Sequence, residues 1–137
     1  MAARGSLEIR RPWIRPDSAS PSQAGGYLTV TNKGADPDRL VAARSPAAES
    51  IEVHAIKVVG PDIKVQPLVD GLAVPAGITT TLKPRGYHLV LLGLRASPCT
   101  GGRFPATLVF EKAGSIDIEF SVEEPGTIGK DILDEER

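Results

Sequence analysis

His54 and His88 are the only histidines in the chain, and each sits inside a run that is otherwise mostly apolar. His54 lies in SIEVHAIKVV, residues 50–59, and His88 in GYHLVLLGL, residues 86–94. Imidazole can ligate a transition metal, move protons, or serve as a hydrogen-bonded structural group. Two imidazoles alone make an incomplete metal site, because most bound transition metals take three or four donors. The single cysteine, Cys99, has no internal disulfide partner and lies in the loop-like stretch ASPCTGGR. It reads as an incidental loop thiol, with a reactive or metal-binding thiol as the alternative.

Other chemistries find no residues to carry them. There is no glycine-rich phosphate loop opening a helix, no nucleophile elbow and no paired-cysteine zinc pattern. No serine sits in a recognisable activating context, so a Ser-His-Asp arrangement has no support and the chain is expected not to be an enzyme. Sixteen basic and seventeen acidic residues are spread along the chain and leave a net charge of -1, which argues against nucleic acid as a partner. Aromatic residues make up 4%, too few for stacking platforms. No window is long and apolar enough for a membrane span. The start, MAARGSLEIRR, has no apolar core before its first strand-like residues, so the expectation is a cytosolic protein or one whose leader has been removed.

The elements that must position the histidines are short. Twelve prolines and fourteen glycines divide 137 residues into pieces rich in Val, Ile, Leu and Thr, which predicts an all-β sandwich of eight or nine strands. In GYLTVTN, Leu28 and Val30 alternate with Thr29 and Thr31; NKGADPD then marks a turn and RLVAARS a further strand. Residues 50–68 read as a β-hairpin turning at GPD, with Glu52, His54, Ile56 and Val58 on one face and Ile51, Val53 and Ala55 on the other. GLAVPAGITTTLKP gives two short strands around Pro75-Ala76-Gly77. GYHLVLLGL is apolar on both faces and predicts a central strand buried on both sides. FPATLVFEKAGSIDIEFSV is the clearest hairpin, turning at KAGS. The expected core contains Trp13, Tyr27, Leu89, Leu91, Leu108, Phe110, Ile118 and Phe120. Residues 1–6 are read as an N-terminal extension, 7–122 as one β-sandwich domain, and 123–137 as an acidic tail with little to bury.

Over residues 7–122 the sequence resembles the PCuAC-type periplasmic copper chaperones. The resemblance is carried by Trp13, Gly25-Gly26-Tyr27, Asn32-Lys33-Gly34, Ser45-Pro46-Ala47-Ala48, His54, Pro75-Ala76-Gly77, and Lys83-Pro84 leading to Gly86-Tyr87-His88. It implies a cupredoxin-like antiparallel β-sandwich that binds copper near one end, in the periplasm or otherwise outside the cytoplasm. It also implies copper, or a copper-receiving assembly protein, as partner, with the dinuclear copper centre of cytochrome oxidase as destination. The family's motif adds methionines eleven residues after the first histidine and two after the second, often with one two residues after the first. Here those positions hold Val65, Val90 and Ile56, and Leu92 also replaces a frequent methionine. Met1 is the only methionine in the chain. Cu(I) is soft and favours sulfur, which valine and isoleucine cannot supply. The resemblance therefore implies a degenerate copper site keeping His54 and His88, or alternatively a metal-free β-sandwich interaction module.

Overall fold

The computed structural model describes residues 2–17, 20, 22–84, 86–95, 98 and 100–124. Cys99 and the tail from residue 125 onward, both singled out above, lie outside them.

Eleven strands and no helix occur among the described residues. They are β1 (Ala2–Arg4), β2 (Leu7–Pro16), β3 (Gln23–Asn32), β4 (Asp38–Arg44), β5 (Ala48–Val59), β6 (Asp62–Pro67), β7 (Leu72–Val74), β8 (Thr79–Leu82), β9 (His88–Leu94), β10 (Arg103–Phe110) and β11 (Gly114–Val122). Seven close a ring in the order β2-β11-β10-β4-β5-β9-β3, which returns to β2 through the β2–β3 pairing. β1, β6, β7 and β8 add to its rims on β2, β5, β4 and β3.

Two seams of this ring are narrow. β4 meets β5 at the single pair Ala43↔Ile51, and β11 meets β2 at Trp13 and Ile14 only. The molecule thus works as two packed layers, one built on β2-β3-β9-β5 and the other on β11-β10-β4. This is the expected all-β, cupredoxin-like sandwich. The β11–β2 seam is parallel, a departure from the all-antiparallel expectation, and joins strands from opposite ends of the chain.

The period-2 pattern predicts the core well, since alternate residues share a face. Tyr27, Leu89, Leu91, Leu108, Phe110, Ile118 and Phe120 are all buried. Trp13 is only half-buried: it lies on the outer face of β2 and stacks on Tyr27 with ring centroids 4.4 Å apart. A bulge between Arg10 and Trp13, with Arg11 at φ 52°, resets the facing of β2 there. β9 is a second correction. Leu89 and Leu91 enter the core, but Val90 and Leu92 remain half-buried on the opposite face. Its apolar character on both sides therefore marks an apolar outer surface, not burial between two layers. The segments flanking Pro75-Ala76-Gly77 do form short strands, and they pair with β4 and β3 respectively.

Two polar groups hold the ends of the layers. The Asn32 side chain, 1% exposed, donates to the carbonyls of Asp36 and Val74 and accepts from the Gly34 amide. The Asp38 carboxylate accepts from the amides of Lys112 and Ala113 and so fixes the β10–β11 turn against β4.

Candidate metal site

β5 and β9 run antiparallel with His54 directly opposite His88. The ring centroids are 5.8 Å apart and the planes 62° apart. No local sequence rule relates two residues this far apart; the pairing register alone brings them together.

His54, His88 and the positions the family motif gives to methionine all lie on the same outward face of three neighbouring strands. β6 pairs with the other edge of β5, so that Ile56 faces Val65 and His54 faces Pro67. Across the β5–β9 pair, Glu52 faces Val90 and Ser50 faces Leu92. The histidine row is therefore flanked by Ile56–Val65 on one side and Glu52–Val90 on the other, each about 7 Å along the strands. Val65 is 49% exposed, so this side of the site is open to solvent or to another molecule.

The rings are held differently. His88 is buried, and its Nδ1–H donates to the Gly86 carbonyl at 3.0 Å, since a carbonyl only accepts. That bond leaves Nε2 as the lone-pair nitrogen. Burial pushes the His88 pKa below the usual imidazole range; the Gly86 bond opposes this and the adjacent His54 adds to it. This shift favours the neutral ring, the form that binds metal. His54 places Nε2 at 2.8 Å from the Glu52 carboxylate, and its Nδ1 is buried without a hydrogen-bond partner. A buried nitrogen of this kind needs a partner, which a water, a ligand or an ion can supply.

With metal–nitrogen bonds of about 2.0–2.1 Å, an ion shared by both rings would lie roughly 3.2 Å from each centroid, at an angle of about 130° between them. The 5.8 Å separation is thus within the span of one shared ion, which would still need at least one further donor. Among the described residues no group of three or more His, Cys, Asp or Glu could hold a metal ion. Ile56, Val65 and Val90 stand at the rim of the pair and contribute no donor atom. Sequence reading missed Glu52 as a site residue, although its two-residue spacing from His54 already put both on one face.

Residues 7–122 match the family model described as "Putative lipoprotein LpqE-like". The chain belongs to the LpqE-like family. A curated relative, described as "Putative lipoprotein Lxx21020" of Leifsonia xyli subsp. xyli, is 27% identical over 118 residues, covering 86% of this chain and 70% of the relative. Among solved structures, the copper-bound PCuAC domain from PmoF2 superposes with a TM-score of 0.77 at 29% identity, over 91% of this chain and 99% of that domain. The Cu(I) form of DR1885 from Deinococcus radiodurans gives a TM-score of 0.64 at 25% identity, over 90% of this chain and 80% of that one. The fold of this LpqE-like chain is that of PCuAC domains, and the resemblance drawn from its motifs holds.

Proposed function

We propose that this LpqE-like domain is a copper chaperone-like protein acting outside the cytoplasm, with a site reduced to His54 and His88. The observation that carries the reading is the register pair itself: two imidazoles face each other at 5.8 Å on a domain whose solved relatives include copper-bound forms. The donor set is nitrogen only, so it suits Cu(II), or Cu(I) completed by a ligand from elsewhere, better than Cu(I) alone. The lipoprotein names of its family and relative support a place outside the cytoplasm. The recipient would be an extracytoplasmic copper-receiving protein, with the dinuclear centre of cytochrome oxidase as the candidate destination.

Competition titrations with Cu(I) and Cu(II), run on the parent and on the His54→Ala, His88→Ala double variant, test this. Measurable Cu(II) binding, weak Cu(I) binding and loss of both in the double variant are expected. Tight Cu(I) binding that survives loss of both histidines would sink the assignment. One observation favours a second reading: every thioether position holds valine, isoleucine or leucine. On that reading the domain is a metal-free interaction module, and the parent would bind neither ion.

A further inference from the structure

Glu52 and His54 are two residues apart on β5 and share its outward face. Glu52 stands opposite Val90, which offers no competing polar group. Its side chain is 49% exposed and that of His54 only 16%, so the carboxylate keeps part of its hydration while reaching a ring that has largely lost its own. The contact at 2.8 Å has hydrogen-bond length.

The pattern of protons on His54 follows from its two nitrogens. With the proton on Nε2, the ring donates to Glu52 and Nδ1 keeps a lone pair facing no donor. With the proton on Nδ1, two acceptors would oppose each other at 2.8 Å and a buried N–H would lack an acceptor. The first pattern is the one the surroundings select. His88 is locked in the reverse sense, with Nδ1 committed to Gly86 and Nε2 left over.

We infer that Glu52 is a positioning residue for the metal site, fixing the His54 tautomer so that the donors are Nδ1 of His54 and Nε2 of His88. This deepens, and rests on, the reading of the two histidines as metal donors. Metal-bound histidines commonly have their second nitrogen fixed by a carboxylate or a carbonyl, and removing such a partner costs about 10–100-fold in affinity. Here the pair would use one of each, giving a mixed Nδ1/Nε2 donor set.

Long-range proton–nitrogen NMR on histidine-labelled, metal-free protein, at a pH where both rings are neutral, reads each tautomer directly. The parent is expected to show the Nε2–H form for His54 and the Nδ1–H form for His88. Glu52→Ala should move His54 toward a tautomer mixture and weaken Cu(II) binding about 10–100-fold. Glu52→Gln, whose side-chain carbonyl still accepts from Nε2–H, should keep the parent tautomer and most of the affinity. A parent His54 in the Nδ1–H form overturns the inference. So does an unchanged spectrum and affinity in Glu52→Ala, or a Glu52→Gln loss as large as that of alanine, which would make the effect one of charge. If His54→Ala leaves Cu(II) affinity untouched, the metal reading itself fails and the positioning role falls with it; the spectrum still decides separately whether Glu52 orients the ring.

Discussion

Val65 and Val90 flank the histidine row from opposite sides, one half-exposed and the other half-buried on the outer face of β9. Methionine at both positions would return two thioether donors without entering the core. The added volume should therefore cost no more than about 1 kcal/mol, in keeping with surface substitutions. Val65→Met with Val90→Met is expected to give tight Cu(I) binding where the parent has little, measured by competition assays on both proteins under the same conditions. A folded double variant with no gain would mean that these side chains do not reach an ion held by the histidines. A pH effect follows from the buried ring. His88 has its pKa held below the unfolded value of 6.5, first by burial. As pH falls through about 6.5 the unfolded chain takes up a proton that the folded His88 refuses, so stability is full above that point and declines below it until the folded ring also protonates. His88→Gln should remove this part of the decline, read from urea midpoints on either side of the window. An unchanged pH slope in the variant would assign the decline to other groups.

Hairpins are the part of this fold most legible in the sequence, because their strands and turns are local. KAGS and GPD punctuate runs of alternating polarity, and β10–β11 and β5–β6 form where the alternation places them. The β11–β2 seam was not legible, since no local rule pairs residues near 13 with residues near 121. The outward apolar face of β9 was misread because hydrophobicity alone does not separate a core from an open site. Gly25, Gly26 and Asn32 of the family-like motifs have structural roles. A Cβ on Gly25 would collide with the Tyr27 hydroxyl, and one on Gly26 would press on Leu89 and Leu91 at 3.0–3.2 Å. The buried Asn32 side chain ties the end of β3 to β7 through the Val74 carbonyl and to the following turn through Gly34 and Asp36. Asn32→Ala should therefore cost about 1–3 kcal/mol by stranding buried backbone groups. Leu108→Ala, in the core hairpin, should cost about 2–5 kcal/mol. Denaturant unfolding of both variants checks these values; a Leu108→Ala loss under about 1 kcal/mol would contradict its burial.

Across the whole molecule, the site belongs to one continuous row on the outer face of a five-strand layer. Trp13 faces Tyr27 across β2–β3, His88 faces His54 across β9–β5, and His54 faces Pro67 across β5–β6. The β3–β9 register, ending at Gly26↔Leu89, carries Tyr27 toward His88 one residue further on. Trp13 is the only tryptophan in the chain, and it sits two strands from His88, about 10 Å away at ordinary strand spacing. It is thus a built-in reporter at the other end of the row, with Arg15 over its ring at 5.2 Å and Tyr27 beneath. Closure of the sheet into a ring fixes this geometry, so a bound paramagnetic ion should act on the indole at a set distance without any rearrangement of the fold. Cu(II) titration is expected to quench Trp13 fluorescence saturably in the parent, with the same midpoint as the competition assay. Zn(II), which is redox-silent, should occupy the same nitrogens with little quenching and should block the Cu(II) effect. The His54→Ala, His88→Ala double variant should show neither response while keeping the parent emission spectrum, which reports that the Trp13–Tyr27 stack is intact. Saturable quenching that persists in the double variant would place the ion elsewhere on this face and separate the row from the site.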